Sequence, residues 1–118
     1  MWDALRGTEL LGEFSAGRSF ADYQADAMVR SAVERQFEII GEALNQLSKI
    51  APDVAARIPD LRRIVAFRNI LIHGYASVDD ALVWQVLTEK RPALECTLRD
   101  LLGDPAEEAP PTTTRADI

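Results

Sequence analysis

Val33-Glu-Arg-Gln-Phe37-Glu-Ile-Ile40-Gly-Glu-Ala-Leu44-Asn-Gln-Leu47 places its large apolar residues four, three, four and three apart. That interval keeps one side of a 3.6-residue helix apolar, a stripe that buries itself against neighbouring helices. Gly41 lies beside the stripe, where the missing side chain permits close backbone approach. Upstream, Asp22 or Ser19 is expected to cap this long helix, and Leu5, Leu10, Leu11 and Phe14 predict a shorter one ending near Gly17. Downstream, the long helix must end before Pro52, and residues 53–58 read as a short helical turn closed by Pro59. A third main helix runs from Asp60, as N-cap, through Ile64, Phe67 and Leu71 to Gly74. Asp79 or Asp80 caps a fourth through Leu82, Trp84 and Leu87, and Pro92 fits the first turn of a fifth that carries Leu94, Leu98, Leu101 and Leu102. No run alternates at period two. The expected fold is all-α: an antiparallel bundle of four to five helices over residues 1–102. Residues 103–118 read as a disordered, acidic tail rich in Pro and Thr.

A chain of 118 residues with 47% hydrophobic and 27% charged side chains suits one domain with a single core. No stretch approaches the roughly 18 apolar residues of a membrane span, and the N-terminus does not read as a signal peptide. One cysteine, Cys96, excludes an internal disulfide and a cysteine-based zinc site. Between Leu94 and Leu98, it is expected to pack as a small hydrophobe. The cytoplasm is the expected compartment. A net charge of −6 argues against a broad basic surface for nucleic acid. The charge is unevenly placed: residues 60–75 carry Arg62, Arg63 and Arg68 against Asp60, whereas the tail holds four acids against Arg115. A nucleic-acid contact would therefore be small and centred on residues 60–75, while the acidic excess serves solubility.

Arg68-Asn-Ile-Leu-Ile-His73-Gly-Tyr75 sets polar chemistry inside an apolar run. His73 is the only histidine in the chain, and histidine is the side chain that both takes and gives a proton near neutral pH. Arg68, five residues earlier, is a permanent cation whose planar fork suits phosphate. A phosphate-binding cation, a proton shuttle and the phenol of Tyr75 suggest phosphodiester chemistry. On a continuous helix, Arg68 and Tyr75 lie within about 20° of each other and His73 about 140° away. Asn69 and His73, four apart, share a face. Arg68 and His73 converge if the helix unwinds near Gly74, or if two copies meet across a two-fold axis and line one cleft together. Both devices are expected to operate.

Cleaving RNA without a metal requires few parts. A base takes the proton of the ribose 2′-OH, an acid protonates the departing 5′-oxygen, and a cation stabilises the phosphoryl oxygens. His73 suits the base or acid, Arg68 the cation, Tyr75 a phosphate contact or proton donor, and Asn69 a partner that fixes the histidine tautomer. A second His73 from a partner chain would fill the remaining role. Each residue also has a plainer reading. A lone histidine ending an apolar helix is more often a packing or capping group, since cations near helix C-termini are favoured anyway. Tyr75 fits a half-buried amphipathic aromatic, and Asn69 a solvent-facing residue. Spacing alone leaves these alternatives open.

The R-x-x-x-x-H-x-Y pattern resembles that of HepT toxins, a branch of the HEPN ribonuclease superfamily. The resemblance extends to Arg35–Leu44 on the long helix, to Ile58-Pro59 leading into Ile64-Val65-Ala66-Phe67, and to Val78-Asp79 followed by Val83-Trp84. It covers roughly residues 19–102, with the blocks in the family's order. It implies an α-helical bundle that forms a homodimer around a shared cleft and cuts RNA with no cofactor and no metal. Arg68 and His73 would be catalytic, with Asn69 and Tyr75 supporting them. HepT toxins are typically paired with a minimal nucleotidyltransferase antitoxin, MntA, and Tyr75 would be the acceptor of its adenylyl groups. Phosphate added there would place negative charge where RNA must bind. Arg62 and Arg63 are the expected RNA contacts, and Glu38 and Glu42 are assigned structural or interface roles without catalysis. The reading is thus a toxin–antitoxin endoribonuclease. Its alternative is a non-catalytic helical module that recruits a nucleotidyltransferase and binds nucleotide or RNA. Retention of both Arg68 and His73 favours the enzyme, because a binding module has no need of a proton shuttle. A purely structural bundle would leave the polar insertion without purpose.

Overall fold

The computed structural model describes residues 1–74 and 78–103, and all regular structure among them is helical. Helix α1 (Trp2–Ser15) turns Ala4, Leu5, Thr8 and Leu11 inward. The Thr8 hydroxyl, fully buried, donates to the Leu5 carbonyl at 2.7 Å and so enters the core without an unpaired polar atom. The chain then turns at Gly17, whose φ of +73° is open to glycine without strain.

The expected long helix is two helices. Helix α2 (Phe20–Ala25) opens on a capping box, with Ser19 Oγ accepting from the Asp22 amide and the Asp22 carboxylate accepting from the Ser19 amide. Helix α3 (Ala27–Ile50) starts afresh after Asp26, whose carboxylate accepts from the amides of Met28 and Val29 at 3.1 and 3.2 Å. A side chain that satisfies those amides competes with the helix ladder, so the chain breaks there. Replacing Asp26 by alanine is expected to cost about 0.5–2 kcal/mol. Thermal unfolding checks this; an unchanged melting temperature would show that the cap contributes nothing.

Val33, Phe37, Ile40 and Leu44 on α3 are all buried. They lie between α1 on one side and α5 (Leu61–His73) on the other, which contributes Ile64, Phe67 and Leu71. Phe37 and Phe67 meet edge to face at 5.1 Å, an arrangement favoured by the ring quadrupoles. A single turn, α4 (Pro52–Ala55), links α3 to α5 and tucks in Ala55 and Ile58. Asp60 precedes α5 as expected but does not cap it: its backbone is left-handed, with φ at 61°. Its carboxylate instead stands 3.9 Å from both Arg63 Nε and Lys90 Nζ.

The expected fourth and fifth helices run on from one another without a loop. Asp79 caps α6 (Asp80–Gln85) through the amides of Ala81 and Leu82. A π-helical turn over Val86–Lys90 leads directly into α7 (Arg91–Leu102). Pro92 explains the widened turn, since it offers no amide to the Thr88 carbonyl and its ring crowds that oxygen. Helix α7 packs on α1, where Arg99 Nη2 reaches Glu9 at 2.9 Å and Arg91 Nη1 donates to the Thr8 carbonyl at 3.3 Å. Cys96 is exposed rather than packed, because two residues from Leu94 along a helix is the opposite side. No helix among the described residues is long and apolar enough to cross a membrane. The tail from Asp104 lies outside the described residues.

Candidate functional site

Helix α5 has two working faces. Ile64, Phe67 and Leu71 face the core, while Arg62, Ala66, Asn69 and His73, again four, three and four apart, form an exposed stripe. Arg68 belongs to neither face. It projects sideways toward α3, about 140° from His73 around the helix, with only 25% of its side chain exposed.

Arg68 is gripped where α3 and α5 approach. A Cβ built on Gly41 of α3 would stand 2.3 Å from Arg68 Cβ and 2.7 Å from its Cγ, so the arginine stem occupies the space that a side chain at 41 would fill. Beyond that notch the guanidinium is held at both ends. Nη2 lies 2.8 Å from Glu42 Oε1, and Nη1 donates to Asn69 Oδ1 at 2.9 Å. Nε is buried and has no hydrogen-bond partner. Arg68 and Glu42 open on a cavity of about 620 Å³, whose lining also includes Asp3, Arg35, Glu38 and Ile72. With Glu42 47% exposed, the ion pair contributes orientation far more than stability.

His73 is the last residue of α5 and exposed, and among the described residues its side chain makes no hydrogen bond or ion pair. It does not line the Arg68 cavity. The expected bond from Asn69 to His73 is absent, and the Asn69 carbonyl oxygen serves Arg68 instead. That contact draws the guanidinium toward the exposed stripe, on which His73 follows Asn69 by one turn. Gly74 ends the helix as expected, but with φ at −106° rather than in the left-handed region, its amide bonded to the Ile70 carbonyl at 2.7 Å.

Tyr75 lies outside the described residues. The chain's other tyrosine, Tyr23, is sealed beneath Trp84 with ring centroids 5.4 Å apart, and burial pushes its phenol well above the ordinary range. It cannot serve as an exposed proton donor. Arg62 and Arg63 are exposed at the start of α5 and border a separate cavity of about 520 Å³. Arg62 makes no ion pair, and stands about 16 Å along the helix axis from His73. Among the described residues no three His, Cys, Asp or Glu side chains cluster in a way that could hold a metal. The site thus offers a restrained cation, an imidazole open to solvent and an amide between them. The contact that the sequence did not foresee is the one between Glu42, read there as a structural or interface residue, and Arg68.

The sequence matches the family model described as Ribonuclease HepT-like over residues 4–101. It is 33% identical over 98 residues to a "putative RNase" of Caldanaerobacter subterraneus subsp. tengcongensis, covering 83% of this chain and 87% of that one. A "probable ribonuclease HepT" of Thermococcus cleftensis is 33% identical over 93 residues, covering 79% of this chain and 84% of the relative. A "putative RNase" of Methanocaldococcus jannaschii is 31% identical over 97 residues, covering 80% and 86%. No solved structure matches the chain.

Proposed function

This chain belongs to the HepT-like ribonuclease family, and on that footing we propose that it is a metal-independent endoribonuclease that acts as the toxin of a toxin–antitoxin pair. One observation carries the reading: Arg68 is anchored through both terminal nitrogens while His73, one turn beyond the anchoring Asn69, stands bare to solvent. In the reaction, His73 removes the proton from a ribose 2′-OH, and O2′ attacks the adjacent phosphorus. The P–O5′ bond breaks, O5′ takes up a proton, and Arg68 balances charge on the non-bridging oxygens. The products are a 2′,3′-cyclic phosphate and a 5′-hydroxyl.

Within one chain Arg68 and His73 diverge around α5, so the working cleft belongs to a homodimer that supplies two of each. One His73 then acts as base while its symmetry mate acts as acid. Arg62 and Arg63, at the far end of the helix, receive flanking RNA phosphates. A minimal nucleotidyltransferase of the MntA kind neutralises the toxin in the cytoplasm by adenylylating Tyr75, two residues after His73 in the sequence, which adds negative phosphate charge that repels RNA. The test is cleavage of RNA in excess chelator, with the product ends identified. Cyclic phosphate ends at an undiminished rate are expected; loss of cleavage on chelation, restored by magnesium, would overturn the mechanism. Incubation with the partner enzyme and labelled ATP is expected to label the wild type but not Tyr75→Phe.

A further inference from the structure

We infer that Glu42 is a positioning residue for RNA cleavage, holding the Arg68 guanidinium in the orientation that meets the scissile phosphate. The inference rests on the reading of Arg68 as the phosphate-binding cation. Glu42 is itself fixed: its Oε2 accepts from Gln46 Nε2 at 3.2 Å, one turn along α3, while Oε1 faces Arg68 Nη2 at 2.8 Å. A chain of contacts therefore runs Gln46, Glu42, Arg68, Asn69 from one helix to the next, with Gly41 admitting the arginine stem between them. The neighbouring acid, Glu38, is engaged by Arg35 at 3.3 Å and makes no contact with Arg68.

An arginine has high rotamer freedom, and a reaction that needs its planar fork in one place must restrain it before substrate arrives. Gly41 fixes the stem but leaves the last torsions open, and Asn69 holds only Nη1. Glu42 closes the remaining freedom. Its carboxylate also offsets the arginine charge, so that Arg68 adds little to general RNA attraction and acts chiefly on the reacting phosphate. Glu42 thus governs turnover more than affinity.

The experiment measures kcat and KM for Glu42→Ala, Glu42→Gln and Arg68→Ala, with the melting temperature of each. Glu42→Ala is expected to lose roughly ten- to hundredfold in kcat with little change in KM. Glu42→Gln keeps an oxygen for Nη2 and should recover most of that loss, with KM likewise little changed. Wild-type or raised turnover in Glu42→Ala would overturn the inference, the latter by showing that the carboxylate is a latch that Arg68 must break. Equal losses in both Glu42 variants with a fall in melting temperature would also overturn it, in favour of a structural role. Arg68→Ala separates the two readings: full activity there defeats the proposed ribonuclease mechanism itself, whereas an inactive Arg68→Ala beside an unaffected Glu42→Ala defeats only the positioning role.

Discussion

Replacing His73 by alanine is expected to slow RNA cleavage by roughly two to four orders of magnitude, the usual contribution of a positioned acid–base group, with no change in melting temperature. The two halves of that result come from the same observation. An exposed side chain with no hydrogen bond or ion pair contributes almost nothing to folding, so its loss falls within the noise of surface substitutions. The chain has no second histidine to take its place, and among the described residues the remaining phenol is buried. If His73 were a helix cap, the pattern would invert: stability would fall and cleavage would persist. Arg68→Ala should match the loss in rate. Mixing the His73 and Arg68 variants gives a further check, because a cleft shared between two chains allows heterodimers to recover part of the activity.

The fold was legible wherever the signal was local. Five apolar residues at alternating four- and three-residue intervals define one face of α3 without reference to any neighbour, and the structure buries Val33, Phe37, Ile40 and Leu44 and half-buries Leu47. Gly41 was legible as a point of close approach, but not what approaches it. Which residue of α5 meets Gly41 depends on how two helices slide past each other, and neither helix's own pattern records that register. For the same reason Glu42 read as a structural or interface residue with no link to Arg68, although it faces that residue at 2.8 Å. The break at Asp26 was hidden by competition between two acceptable caps seven residues apart: Ser19 starts a short helix, and Asp26 starts the long one. Cys96 was misplaced by counting leucines on either side of it instead of angles. The angular divergence of Arg68 and His73 followed from helix geometry alone, whereas the turn of Arg68 back toward Asn69 is a side-chain choice that spacing cannot supply.

Gly41→Ala should disable the enzyme from a position that touches no substrate. Alanine ordinarily strengthens a helix interior, by about 0.5–1 kcal/mol relative to glycine. Here the added methyl would lie 2.3 Å from Arg68 Cβ, an atom too close to the α5 backbone to move aside. The helices must separate or slide, at a cost of about 1–3 kcal/mol, as for other overpacked contacts. Cleavage should fall roughly a hundredfold, the usual price of an ångström's misplacement of a reacting group. The double variant Gly41→Ala/Arg68→Ala isolates the cause. Alanine at 68 keeps its Cβ, so the destabilisation should persist although the long side chain is gone. A Gly41→Ala protein that melts higher than wild type and cleaves RNA at full rate would show that Arg68 can work outside the notch, and that the grip of α3 on the cation has no part in the reaction.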